Sequence, residues 1–290
     1  MTTLKELKIR IGGIKNTQKI TRAMKMVASA KLRRAQDRII SARPYAKKID
    51  ELLTNLVNSA GEISDELLEK RDVKIKCVVA VSADRGLAGS FNTNIIRATT
   101  AYLSTLDSST KLITVGKKVT DSLKKKNYNL INSYPGIFGD LSIDISNEIV
   151  SYLVDAYLKK EFDSVEIIYN EFKSIAKQVT VREQFLPLKR NIEDNNKQKT
   201  ENITDYIYEP SQLKIIKELI PIQLRVQFWK TLLESNASEQ AARMTAMETA
   251  TKNAADLLKI LELSYNQARQ ASITKEILEI VGGAEALKDA

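Results

Sequence analysis

Histidine is missing from all 290 residues, and the chain has one cysteine and one tryptophan. Without histidine, the side chain that most often serves as general base or metal ligand near neutral pH is gone. A single thiol, Cys77, excludes an internal disulfide framework and fits a reducing compartment. It sits in an apolar run and reads as a buried, inert group. No apolar run approaches the roughly 18–20 residues that a membrane-crossing helix needs. The start, MTTLKELKIRIGG, lacks the apolar core of a secretory signal and continues into a helical pattern, so it is not read as a removable leader. Paired carboxylates in a convincing frame, metal-ligand spacings and a nucleophile elbow are also missing. The pattern calls for no cofactor, and an enzyme reading has little to stand on.

What the chain has instead is two very long helical patterns, Leu4–Val57 and Gln212–Leu287, one at each end. Helices of ordinary domains run about 8–20 residues. The inward positions of the first are Leu4, Leu7, Ile11, Ile14, Gln18, Thr21, Met24, Ala28, Leu32, Ala35, Ile39, Ala42, Tyr45, Ile49, Leu52 and Leu56. Those of the second are Ala237, Gln240, Met244, Met247, Thr251, Ala254, Leu258, Leu261, Tyr265, Ala268 and Ser272. Steps of three and four predict a left-handed coiled coil. Its small seam residues allow close approach, and its polar ones (Gln18, Thr21, Gln240, Thr251) fix register.

Because the first helix ends where the middle of the chain begins and the second starts where it finishes, the two share a base and run antiparallel. At about 1.5 Å per residue the second outruns the first by roughly 30 Å. From about Asn266 onward it is expected to protrude alone, leaving Ile273, Ile277, Ile280, Val281, Ala284 and Leu287 without cover of their own. Exposed apolar surface of that size marks a partner site, so another protein is expected around this tip.

The net charge of +9 is uneven. Residues 1–48 hold 14 Lys and Arg against Glu6 and Asp37. This basic sleeve on the first helix includes Lys15, Lys19, Arg22, Lys25, Lys31, Arg33, Arg34 and Arg38. It suits nucleic acid, a solvated face or an acidic protein surface. The acidic protein is preferred, since Tyr45 is the sleeve's only aromatic residue and no nucleic-acid motif appears.

The middle changes period. Lys74–Ala83 reads as a buried strand, Gly89–Leu106 as a helix, Lys111–Val115 as a strand and Val119–Lys126 as a short helix. Tyr128–Ser133 follows as a strand, Leu141–Glu161 as a helix, and Ser164–Phe172 with Gln178–Leu188 as a hairpin. The order βαβαβαββ predicts a Rossmann-like α/β domain with a mainly parallel sheet. The chain thus divides into a helix over 1–57, a polar connector over 58–73, an α/β domain over 74–208 containing the polar loop Asn191–Glu201, and a helix over 209–290. In SADRGLAGSFN, Ser82–Asn92, only Gly86 and Gly89 stand where a dinucleotide loop needs three glycines. A structural turn is preferred to a ligand site, with Asp84 or Ser82 capping the following helix and both glycines permitting the bend.

The segments NTQKITRAMKMVASAKLRRAQ (Asn16–Gln36), SADRGLAGSFN, ESNASEQAARMTAMETATKNA (Glu234–Ala254) and YNQARQASITKEILEIVGGA (Tyr265–Ala284) carry a resemblance. Together, and in order along the whole chain, they resemble the γ-subunit family of F-type ATP synthases. The resemblance implies a non-catalytic central shaft. It turns inside a ring of α and β subunits, with catalytic sites on β, and a foot sits with the ε subunit on the membrane c-ring. It implies that Arg269, Gln270 and Thr274 contact a β subunit, with Ile273 and Ile277 in an apolar bearing. Met24, Lys19, Arg22, Lys25, Arg33 and Arg34 would lie toward the ring. The loop with Asp84, Arg85, Gly86, Gly89 and Asn92 is the family's hallmark in the foot, with a structural role. Two departures stand out. Many relatives carry Cys at the place of Ala88, and the cysteine-bearing insertion of photosynthetic relatives is missing, so thiol control is expected to be absent. The expected location is the inner, cytoplasmic face of a bacterial membrane, peripheral and without direct insertion, with the matrix side of the mitochondrial inner membrane as runner-up. No nucleic acid is expected as a partner. A static coiled-coil adaptor and a nucleotide-dependent enzyme remain the alternative classes.

Overall fold

The computed structural model describes residues 3–59, 65–69, 71–188, 209 and 211–286. The polar stretch Asn191–Glu201, part of the connector, and Leu287 lie outside them. Two helices are shared between two compact units, α1 (Leu4–Ser59) and α5 (Gln212–Ala286). One unit is Met1–Ala28 with Met244–Ala290, and the other is Ser29–Arg243.

In the first unit α1 opens on a capping box. The Glu6 amide donates to Thr3 Oγ1 at 3.3 Å, and the Thr3 amide donates to the Glu6 carboxylate at 3.1 Å. Leu7, Thr21 and Ala28 are buried along the seam, as are Met247, Ala254, Leu258 and Leu261 on α5. The pairing is antiparallel. Lys15 bridges to Glu262 at 2.9 Å, and Lys25 to Glu248 at 2.8 Å. Between those two bridges Thr251 Oγ1 donates to Thr21 Oγ1 at 2.8 Å. Each hydroxyl also has a carbonyl of its own helix within reach, Gln18 at 3.1 Å for Thr21 and Met247 at 2.7 Å for Thr251, so the pair meets in this register without either depending on it.

In the second unit Leu32, Ala35, Ile39, Ile49, Leu53 and Leu56 carry the buried stripe of α1. Two expected seam positions are corrected. Tyr45 is 56% exposed, and Leu53 rather than Leu52 is fully buried. A helix with about 3.6 residues per turn drifts against a strict 3.5 repeat, so the stripe steps from Ala42 to Ala46 and passes Tyr45 by.

The body of this unit is β1 (Lys76–Val81), α2 (Phe91–Leu103), β2 (Lys111–Val115), α3 (Lys117–Leu123), β3 (Asn129–Tyr134), α4 (Ile143–Leu158), β4 (Ser164–Phe172) and β5 (Gln178–Leu186). The sheet order is β3-β2-β1-β4-β5, parallel except for the β4–β5 hairpin. This is the α/β fold read from the sequence. Cys77–Val81 are buried without alternation because helices cover both faces of a parallel sheet. Val78, Ala80, Leu112, Ile95, Leu103, Val119, Leu123 and Ile168 form one core cluster. Ser142 Oγ accepts from the Ile145 amide at 3.4 Å and starts α4. The strand order reverses between β1 and β4, and in open α/β sheets the crevice at such a point is where ligands bind.

Gly116 turns β2 into α3 with φ at 95°, and any Cβ there would collide with the Ser82 carbonyl. Gly116→Ala is therefore expected to destabilise the protein by about 3 kcal/mol, read as a lower urea midpoint. Burial raises the pKa of the Cys77 thiol, which is wholly inaccessible. A maleimide is expected to leave it unmodified at pH 8 in the native protein and to label it once urea unfolds the chain, as read by mass spectrometry.

Candidate functional site

The carboxyl-terminal stretch of α5 presents the expected apolar surface. Ile273, Ile277, Leu278, Ile280 and Val281 are 48–71% exposed. Ala284 is exposed as well. Leu278 falls outside the heptad frame and was missed by it, although a helix left without a partner exposes all of its faces. Arg269 and Gln270 are exposed just before these residues. The Thr274 hydroxyl is exposed too and donates to the Gln270 carbonyl at 3.0 Å.

The basic sleeve divides by pairing. Lys19, Arg22, Arg33 and Arg34 are exposed. Lys25 is engaged by Glu248 and Lys15 by Glu262, so these two cations hold their own chain together. Met24 is half-buried on the seam beside Lys25. Ion pairs as exposed as these contribute about 0–1 kcal/mol each, so they are easily exchanged for other partners.

The turn after β1 is built around Asp84. Its carboxylate accepts from the backbone amides of Lys117 at 2.8 Å, Gly136 at 2.7 Å and Phe138 at 2.8 Å. Ser82 Oγ accepts from the Val119 amide at 2.9 Å. Both side chains thus satisfy the first turn of α3, not of α2 as expected. The residue before α2, Ser90, makes no side-chain cap. Asn92 closes the turn, accepting from the Ala83 amide at 3.0 Å and donating to the Arg85 carbonyl at 3.2 Å. Gly89 takes a positive φ of 56°, and so does the exposed Leu87 at 61°. Gly86 does not, and a Cβ on it would meet only the end of Lys118 at 3.7 Å, so the bend does not require glycine there.

Helix α5 lies over this turn. Ala242 packs against Ala83, Ala88 and Phe91. Arg243 Nη2 donates to the Gly86 carbonyl at 3.1 Å, and its Nη1 pairs with Glu239 at 2.5 Å. Burial pushes the Glu239 carboxyl up, and the Arg243 guanidinium opposes that rise. Farther along, Glu234 Oε2 accepts from the Phe172 amide at the end of β4 at 3.1 Å. The carboxyl ends of β1 and β4 are therefore covered by the chain's own helix, where other α/β sheets hold a ligand. Sequence reasoning did not single out Glu239 and Arg243. Their i,i+4 spacing was the available signal.

The family model for ATP synthase matches residues 3–287. The ATP synthase gamma chain of Cytophaga hutchinsonii is 49% identical, over 100% of both chains. That of Chlorobium limicola is 48% identical, again over 100% of both. This chain belongs to the ATP synthase gamma-chain family. Its fold is also that of a chain in the Euglena gracilis mitochondrial ATP synthase, with a TM-score of 0.71 at 21% identity over 98% of this chain and 94% of that one. A chain of the Tetrahymena thermophila mitochondrial enzyme gives 0.61 at 24% identity, over 80% and 99%. Among the described residues of this chain, no helix is long and apolar enough to cross a membrane.

Within the turn after β1, backbone and side-chain roles separate cleanly. Asp84→Ala leaves three amides without their acceptor and is expected to cost about 2 kcal/mol. Arg85→Ala, which removes an exposed side chain and keeps the carbonyl, is expected to stay within about 0.5 kcal/mol. Thermal unfolding of the two variants checks the contrast.

Proposed function

We propose that this chain is the central rotor of its ATP synthase, turning within a ring of α and β subunits and coupling ion flow through a membrane c-ring to ATP synthesis or hydrolysis. Catalysis belongs to the β subunits, and the chain itself is non-catalytic. The α/β body is the foot that meets the ε subunit and the c-ring at the inner face of a bacterial membrane. The observation that carries this reading is the uncovered apolar row from Ile273 to Val281 on α5. In a chain of this family, such a row calls for a surrounding collar.

Physical chemistry suits the surfaces to turning. Apolar contact is non-directional, so Ile273 and Ile277 can slide past a collar without breaking a fixed set of hydrogen bonds. Arg269, Gln270 and Thr274 supply polar contacts to one β subunit at a time. The exposed cations Lys19, Arg22, Arg33 and Arg34 meet acidic loops through weak, screened pairs that break and re-form at each step. Lys25 and Met24 lie beside them, Lys25 exchanging Glu248 for a ring carboxylate. Two different helices make an asymmetric axle, so three identical β subunits face different surfaces. A difference in contact energy biases each toward a different nucleotide affinity.

With the ring immobilised and a probe on the body, ATP is expected to drive rotation of the probe in one direction. A probe that stays still while ATP is consumed would overturn the reading. Charging the row with Ile277→Glu and Ile280→Glu is expected to lower the rotation rate several-fold at saturating ATP, measured by the same probe.

A further inference from the structure

Within the Ser29–Arg243 unit α5 is tied to α1 by Gln223 Nε2, which donates to Asp50 Oδ1 at 3.0 Å, and by Glu234, which pairs with Arg43 at 3.7 Å. Among the described residues three further polar ties hold it to the α/β body. Gln227 Nε2 donates to Glu183 Oε1 at 2.9 Å, Glu234 accepts from the Phe172 amide, and Arg243 reaches the turn after β1. The first two end on β5 and on the last residue of β4. The third ends on a turn and is made by the last residue of the unit. Around it the side chains are small: Ala242 meets Ala83, Ala88 and Phe91. Contacts of that kind resist separation but offer little against sliding, because they have no preferred direction.

Arg243 supplies the direction. Its guanidinium is a rigid planar fork with five donors. One arm is fixed by Glu239, and the other lies 3.1 Å from the Gly86 carbonyl and 3.5 Å from the Arg85 carbonyl. The Glu239 and Arg243 side chains are only 6% and 11% exposed, so water competes weakly for either. The turn they grip is anchored from the far side as well. Asp84, next to Arg85, holds the amides of Lys117, Gly136 and Phe138. A force applied to α5 at Arg243 therefore passes through two carbonyls to Asp84, and from there to the start of α3 and the segment after β3.

We propose that the Glu239–Arg243 pair is a latch that locks the Arg85–Gly89 turn onto α5 and fixes the angle at which the α/β body grips this helix. Arg243 acts as a positioning residue. The inference rests on the rotor reading for its purpose but not for its geometry. If torque crosses between the body and α5, the latch is where slip is prevented.

The test uses the assembled complex with its ring immobilised and a probe on Lys125→Cys, an exposed position. The natural thiol, Cys77, is buried. Arg243→Ala is expected to widen the angular distribution of the paused probe at least twofold in variance. It is also expected to speed hydrogen exchange of the Arg85–Gly89 amides at least tenfold, while the Lys117, Gly136 and Phe138 amides keep their rates. Arg243→Lys keeps a cation for Glu239, but its compact ammonium has no planar fork to span the carboxylate and the two carbonyls at once, so it is expected to fall between wild type and Arg243→Ala. Wild-type width and wild-type exchange in Arg243→Ala overturn the latch. If that variant fails to assemble, Arg243→Lys carries the same comparison, and wild-type values in it overturn the proposal equally. A wild-type probe that never turns with ATP sinks the rotor reading alone, and the exchange rates then decide the latch.

Discussion

Helix α5 lies across the carboxyl ends of β1 and β4, and this burial sets what the α/β body can be. The body has the strand order of a nucleotide-binding sheet, and its crevice sits where that order reverses. In this chain Ala242 and Arg243 cover the β1 side and Glu234 the β4 side. From Ala83 to Gly86 the turn after β1 is correspondingly bound by protein groups. Asp84, which in another setting would face a ligand, spends its carboxylate on three backbone donors. A missing third glycine and a covered crevice are two aspects of one fact: the sheet edge serves to hold a helix.

The chain separates permanent contacts from exchangeable ones by burial and direction. Glu234, Glu239 and Arg243 are nearly inaccessible, and each is tied to a defined backbone atom or charge. Removing one partner from such a set leaves a buried polar group unmet, which is costly. Lys19, Arg22, Arg33 and Arg34 are exposed, as is the apolar row beyond Ser272. Their interactions are weak one by one and insensitive to angle. Along α5 itself the buried, directional ties of Glu234, Glu239 and Arg243 and the exposed apolar row from Ile273 to Val281 occupy different stretches, while the exposed cations lie on α1.

Much of this was legible in the sequence, for identifiable reasons. β2 and β4 were read to the residue because short β-branched runs bounded by polar residues leave few other choices. The two long helices and the uncovered tip followed from period and length alone. The errors came from assumptions of regularity or locality. Tyr45 was placed on the seam by a strict heptad that a real helix does not keep. Asp84 and Ser82 were assigned to the nearest helix in sequence. Their actual partners lie 33 to 54 positions onward for Asp84 and 37 for Ser82, brought close by sheet order that no local pattern reveals. Arg243 escaped notice for the same reason, since the carbonyls it binds lie more than 150 positions earlier.

From Thr231 to Ala241 every residue of α5 except Asn236 is buried. Most surface helices keep one flank in water, where drift in side-chain size passes unnoticed. Here three successive turns are encased, and Ser235, Ala237, Ser238 and Ala241 are the small members that let neighbours close in. A catalogue of viable variants along this helix would be banded: nearly empty for bulky replacements across these eleven positions, and permissive again on the outer flank farther along.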